Sequence, residues 1–491
     1  MKRLMLTCVF LIASQLTAFA EDTVFDEMDF RAPASKQASV SQPNISTDEI
    51  AHVLATLLSD SKAMSHMAHL PKREWEALTA YYTARANTPV WLGGDPSAVR
   101  ARQLMDRISR ADEDGLDPFD YPAVPNIGKL ETADKLAEAD IALSVAAIAY
   151  ARDARGARID LGRLSKLITP KLDLPDPATV ITSLIHASNP GDALAQYNPQ
   201  QPGYRLLKAK LATLHDMTAS IGPSSAPSPL APSRKPIRTT TAMVEQSLVM
   251  PFELIANMER WRWVERDLGD RYIEVNLPEF MVHVVDHGQI IHTTRAIVGK
   301  PTTPTPLFSE KMQYLIVNPS WHVPYSIVKK EFLPKLAEDP DYATKSGYQV
   351  TQNGDLVTIR QPPGERNALG FVKFMFPNQH SVYLHDTPTR KLFSDTERAY
   401  SHGCVRVENP FSLAAVVLND PKYTEDGLKA LIGKGEQLIK LSQAMPVQLT
   451  YFTIVADATG ELHRVGDIYG YDQSVEAALG LGQSKAYASL R

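Results

Sequence analysis

The chain has 491 residues, 44% hydrophobic and 22% charged, with a formal net charge of −5. That length exceeds one typical domain and implies two or three. The acidic balance argues against a nucleic-acid partner, whose footprint is a basic patch, and beyond the first twenty residues no run reaches the roughly 18 apolar residues of a membrane span.

Lys2 and Arg3, the apolar stretch 4–16 and then Ala18-Phe19-Ala20 have the form of a cleaved signal peptide over 1–20, with Glu21 opening the mature chain. An uncleaved membrane anchor is the alternative. Lipid attachment at Cys8 fits poorly, because Thr7 precedes it and the apolar stretch continues beyond it. Cys8 and Cys404 are the two cysteines, and Cys8 leaves with the signal. One thiol then remains in an exported chain, so no intramolecular disulfide is possible. Such a thiol is either inert and buried or reactive, and its neighbours must decide.

Residues 21–45 are polar, punctuated by Pro33 and Pro43, and read as a flexible leader. Helical patterns dominate 46–220. Ile50, Val53, Leu54, Leu57 and Leu58 recur at 3-4 spacing, as do Trp75, Leu78, Tyr81 and Tyr82. The Ala- and Leu-rich stretch 131–152 predicts a long helix, with shorter ones over 163–167, 180–187 and 204–217. His66 and His69 share a helical face without acidic or thiol companions, which favours a surface role. The segment 222–236 (GPSSAPSPLAPSRKP) cannot pack a core, so 221–241 reads as a linker. A helical pattern over 243–264, with a break near Pro251, opens a second half spanning 242–450. Short alternating or β-branched runs at 272–277, 280–285, 290–298, 314–318, 356–360, 372–375 and 382–384 predict strands. Helices are expected over 328–336 and 410–418, and 451–491 is set apart as a C-terminal extension. The fold class is α+β, a helical scaffold domain followed by a mostly antiparallel β domain.

The chemistry concentrates in 385–406 (HDTPTRKLFSDTERAYSHGCVR). A thiol near pKa 8.5 is mostly neutral at pH 7, so a nucleophile needs a base or a positive field beside it. His402 and His385 compete for that role. His385 follows the apolar run Val382-Tyr383-Leu384, which places it at a strand end where a rigid scaffold can hold a base. The loop 386–400 can return Cys404 to it. Gly403 permits backbone geometries closed to other residues, so its amide and that of Cys404 are candidate donors to an oxyanion. Arg406, two positions beyond Cys404, faces the same way on an extended segment and suits a carboxylate. A zinc site of Cys404, His385 and His402 is the competing reading, although it needs a fourth ligand or a water.

Ser401-His402-Gly403-Cys404-Val405-Arg406 resembles the SHGCxR signature of the L,D-transpeptidase (YkuD-type) catalytic domain, and His385 stands at that family's upstream spacing for a base. The phrases 258–274 (MERWRWVERDLGDRYIE) and 383–388 (YLHDTP) are similar to its large periplasmic YcbB-like branch, as is the helical first half. The resemblance implies attack by Cys404 on a tetrapeptide stem of peptidoglycan, at the carbonyl of its third residue, usually meso-diaminopimelate, with loss of terminal D-alanine. A second stem's side-chain amine then resolves the thioester, giving a 3→3 crosslink. It further implies His385 as base, oriented by the Asp386 carbonyl, and an oxyanion hole from Gly403 and Cys404. Arg406, His402, Ser401, Asp386 and Tyr383 would form the substrate site. No cofactor or metal is expected, carbapenems should acylate Cys404, and the compartment is the periplasm. Stem peptides are the expected partners, with other cell-wall synthesis proteins as candidates. A capping insertion is expected over about 322–377, with Trp321, Tyr325 and Phe332 near its start. The family's compact peptidoglycan-binding module is not evident between 161 and 241.

On the same scaffold, water or another amine acceptor at the thioester would instead give an L,D-carboxypeptidase or attachment of a different group, and two further readings stay open. A papain-like or NlpC/P60-type peptidase normally places its histidine after the cysteine, where this chain offers His463 in a turn-like setting. An inactive envelope scaffold should lack a member of the set, whereas His385, Cys404 and Arg406 are all present.

Overall fold

The computed structural model describes residues 45–60, 69–220, 249–354, 356–457 and 459–481. The signal, almost all of the leader, His66 and the linker 221–241 lie outside the described residues.

The N-terminal half is helical, as its periodicity predicts. Helix Thr47–Ser59 starts with a capping box in which Ser46 and Glu49 satisfy each other's backbone N–H. Helix Lys72–Ala84 buries Trp75, Leu78 and Tyr82. The central helix Ala133–Asp153 is buried almost all round, which its small alanines permit by letting neighbours approach closely. Asp140, wholly buried on that helix, accepts from the backbone N–H groups of Val90, Trp91 and Leu92 and from the Tyr82 hydroxyl at 2.6–2.9 Å. A buried carboxylate is tolerated only with such a full set of donors. Helix Asp95–Ser109, which the pattern-reading passes over, completes this first core together with helix Pro177–His186.

The C-terminal half is built on a nine-stranded sheet. Its strands are β1 (Arg271–Asn276), β2 (Met281–Asp286), β3 (Gln289–Gly299), β4 (Phe308–Val317), β8 (Val372–Met375), β9 (Leu384–His385), β10 (Ala399–Ser401), β11 (Val405–Val407) and β12 (Gln437–Thr450); β5 (Trp321–His322), β6 (Gln349–Asn353) and β7 (Leu356–Gln361) form a separate small sheet. The main order is β10-β3-β11-β9-β8-β4-β12-β1-β2, and a further β2–β3 pairing closes the ring of hydrogen-bonded strands. Closure leaves few free edges and fixes register wherever one face is buried. The sheet is mostly antiparallel, as expected, with three parallel pairs, β1–β12, β9–β11 and β10–β3. Helix Pro251–Arg262, the helix predicted over 243–264, starts at Pro251, which supplies the first-turn φ and needs no N–H partner there. Residues 243–248 of that prediction are outside the described residues.

Packing redraws two expected boundaries. Ile159, Leu161, Ile168, Tyr204, Leu207 and Leu211 belong to the core of the β half, as do Tyr451, Ile454, Val475 and Leu479. The end of the helical half and the expected C-terminal extension are therefore both built into that core. Backbone bonds between Thr169 and Leu307 (2.9 Å) and between Leu307 and Leu167 (2.7 Å) tie the halves together. The insertion carries its own small core of Val323, Val328, Phe332, Ala343 and Ile359. Its expected end near 377 runs too far, because Val372–Met375 pairs with β4 and β9 in the main sheet.

Candidate active site

Register assembles the site. His385 on β9 pairs with Lys373 on β8 and with Arg406 on β11, and Leu384 pairs with Phe374 and Val405. Register partners share a face and successive residues alternate. Phe374, Leu384 and Val405 thus form one row in the core, each fully buried. Lys373, His385 and Arg406 form the next row on the opposite face. Tyr383 and Cys404, each immediately before its strand and two residues from His385 and Arg406, extend that face, and the Val405 N–H donates to the Tyr383 carbonyl at 3.2 Å. His385 closes strand β9, and Cys404 immediately precedes the neighbouring strand β11.

Cys404, His385, Arg406, His402, Ser401 and Tyr383 line one cavity of about 570 Å³. Its other walls come from the insertion, with Trp321, Ile327, Lys330, Glu331 and Tyr348, and from the loop bearing His380 and Ser381. Thr169 from the helical half bonds His380 at 2.7 Å, so that half supports a cavity wall.

His385 is 5% exposed. Its Nδ1 lies 2.5 Å from the Asp386 carbonyl oxygen. A carbonyl can only accept, so Nδ1 carries the proton and Nε2 is left as the basic nitrogen. Burial, with the Arg406 and Lys373 cations adding to it, depresses this imidazole to about 3. Burial raises the half-buried Cys404 thiol, against the pull of the Tyr383 N–H, Lys373, the Tyr383 hydroxyl and Arg406. The resting pair is accordingly a neutral thiol and a neutral imidazole, not a preformed ion pair. The thiol points to the Ser381 carbonyl, 3.9 Å from the sulfur. Iodoacetamide alkylation of Cys404 is therefore expected to be slow at pH 7 and to accelerate only above the ordinary thiol range near pH 8.5. Because His385 stays neutral down to about pH 3, that profile should show no step near the usual imidazole value of about 6.5. Peptide mass spectrometry of the labelled chain reads both features.

Arg406 forms no ion pair among the described residues, and its buried Nε has no hydrogen-bond partner. A guanidinium held this way favours a ligand carboxylate. Lys373 packs its ammonium 3.9 Å from the Tyr383 ring centroid, a cation–π contact. The Tyr383 ring in turn meets His385 edge-on at 5.7 Å.

Three sequence assignments change. Asp386 does not face the cavity: its carboxylate accepts from the N–H groups of Phe371 (2.8 Å) and Thr387 (2.7 Å) and pairs with Arg390 at 2.7 Å. Its contribution is the carbonyl that orients His385. The Gly403 N–H is not free for an oxyanion, because it donates to the Ser401 hydroxyl at 3.0 Å. That hydroxyl donates to the Cys404 carbonyl at 2.5 Å, so Ser401 ties the loop instead of offering its hydroxyl to a ligand. Gly403 is still required at φ 115°, a conformation other residues rarely adopt. Lys373 and Glu331 were missed from sequence, the first because only register reveals it and the second because the insertion's fold brings it in.

These residues fall inside a recognisable domain. Residues 270–430 match the model of the L,D-transpeptidase catalytic domain (YkuD), and 76–211 match a scaffold domain. The chain carries an L,D-transpeptidase catalytic domain. A curated Haemophilus influenzae protein, provisionally named an L,D-transpeptidase, is 34% identical over 224 residues, covering 42% of this chain and 45% of that protein. The match thus spans less than half of that relative's length. Among solved structures, an L,D-transpeptidase from Mycobacterium smegmatis is 13% identical with a TM-score of 0.20, covering 37% of this chain and 58% of that one. One from Enterococcus faecium is 18% identical with a TM-score of 0.18, covering 37% and 50%. No helix among the described residues is long and apolar enough to cross a membrane.

Gly370 supports the candidate site from behind. It sits at φ +59°, and a Cβ there would lie 2.3 Å from the Asp386 Cγ. Gly370→Ala is expected to cost at least about 1–2 kcal/mol from the left-handed backbone alone. It should also displace the carbonyl that holds His385, lowering the melting temperature and the turnover together.

Proposed function

We propose that this chain is an exported, periplasmic enzyme that crosslinks peptidoglycan through a thioester on Cys404. The observation that carries the reading is the half-buried Cys404 thiol opening into the same cavity as the basic nitrogen of His385 and the unpaired Arg406 guanidinium. The donor is a tetrapeptide stem whose carboxylate is drawn to Arg406. His385 Nε2 takes the thiol proton as sulfur attacks the carbonyl of the third residue. The proton passes to the departing D-alanine nitrogen, and the carbonyl is left bonded to sulfur. Since imidazole and thiol are both neutral at rest, proton transfer accompanies attack. An amine of a second stem then displaces sulfur and gives a 3→3 crosslink. Compartment and partners rest on the N-terminal signal pattern and the transpeptidase domain.

The test is incubation of the mature protein with purified disaccharide-tetrapeptide and identification of the products by mass spectrometry. Crosslinked dimer is the expected product. Tripeptide alone would make the chain a carboxypeptidase that uses water at the same thioester. No product from a folded chain would overturn the enzymatic reading.

A further inference from the structure

Besides His385 the cavity is lined by His380 and His402, neither of which the mechanism above uses. His402 Nε2 lies 2.8 Å from Glu331 Oε1. His402 is two residues before Cys404, while Glu331 belongs to the insertion. The π-helical turn Val328–Phe332 carries it, with Val328 and Phe332 anchored in the insertion's core and Lys330 and Glu331 on the cavity wall. Turns of this kind are short departures from α-helix found often at functional sites. Side chains of the pair are 39% and 46% exposed, open to an incoming group.

Charge gives the pair its meaning. Glu331 is the one carboxylate among the described residues that line the cavity, where Arg406 and Lys330 are cationic. Lys373 adds a third positive charge behind Tyr383. An amine acceptor arrives mostly as an ammonium, which this field repels, and it must lose a proton before its nitrogen can attack. His385 has a single basic nitrogen, taken up by the proton that must reach the sulfur, so the other amine proton needs a second acceptor.

We propose, resting on the transpeptidase reading, that Glu331 and His402 form the seat for the acceptor amine, so that the insertion governs transfer to an amine against transfer to water. With Nε2–H donating to Glu331, His402 Nδ1 accepts a proton from the ammonium, and the carboxylate stabilises the imidazolium that results. The freed amine nitrogen bonds to the thioester carbon and the C–S bond breaks. The second amine proton goes, by way of His385, to the departing sulfur and restores the thiol. The first leaves His402 for solvent, which balances the proton that the departed D-alanine amine takes up from it.

The experiment follows both half-reactions in the full mature chain with disaccharide-tetrapeptide. Acylation is read as the mass of acyl-Cys404 in a single turnover, and partition as the ratio of crosslinked dimer to tripeptide. For Glu331→Gln the partition ratio is expected to fall on the order of a hundredfold, the low end of what a positioned proton acceptor contributes. The loss should fall on partition and not on acylation. Glu331→Asp should recover part of the ratio, and His402→Gln should add little further loss of partition to Glu331→Gln. An unchanged ratio in Glu331→Gln, or a fall matched by slower acylation, overturns the acceptor seat while leaving the thioester reading intact. Wild-type chain that acylates but yields only tripeptide also overturns it. Absence of acyl-Cys404 in the wild type overturns the transpeptidase reading itself.

Discussion

Cys404→Ala is expected to reduce product formation from disaccharide-tetrapeptide on the order of 10⁴-fold or more, to background, because the covalent step has no other sulfur to use. Cys404 is the sole cysteine beyond residue 20, and its side chain is only half-buried. Thermal melting of the variant should stay close to wild type. A folded, inactive Cys404→Ala protein separates loss of chemistry from loss of structure; retained crosslinking would remove the nucleophile from the account.

His385→Gln is the second large effect. Glutamine keeps a polar group near the Asp386 carbonyl but cannot take the thiol proton, so turnover should fall on the order of 10²–10⁴-fold. The pH profile distinguishes a base from a structural prop. With the base gone, the residual rate should rise with pH until the burial-raised thiol of Cys404 ionises by itself. The wild-type acylation rate should stay flat from the acid side, because the His385 imidazole remains neutral down to about pH 3. A wild-type acid limb near pH 6.5 would contradict this.

Much of the site was legible because the motif and the strand alternation point the same way. Val382-Tyr383-Leu384 placed His385 at a strand end, and the i, i+2 relation put Cys404 and Arg406 on one face. What sequence spacing cannot give is register. Lys373 is an unremarkable lysine in a short strand until β8 sets it opposite His385. Glu331 reaches His402 only through the fold of the insertion. Asp386 and Gly403 were misassigned for a related reason: side-chain or amide direction depends on competing local partners, here Phe371, Thr387 and Arg390 for the first and Ser401 for the second.

The fold shows the same division. Helices with clean periodicity, such as 131–152 and 410–418, appear as Ala133–Asp153 and Pro410–Leu418. The longest strand, Gln437–Thr450, went unread because Ser442, Gln443 and Ala444 interrupt its apolar pattern and Pro446 argues against a strand. Its pairing with β4 is irregular between Lys440 and Met445, so the polar stretch sits where the ladder is broken. The parallel pairs were equally invisible, since strand direction depends on long connections.

The most direct test is mass spectrometry of the chain quenched in acid during reaction with disaccharide-tetrapeptide, followed by mapping of the modified peptide. The account requires an adduct equal to the donor minus D-alanine, on the peptide that contains Cys404, appearing and decaying at rates consistent with turnover. Turnover with Cys404 unmodified throughout, or an adduct confined to another residue, would contradict it.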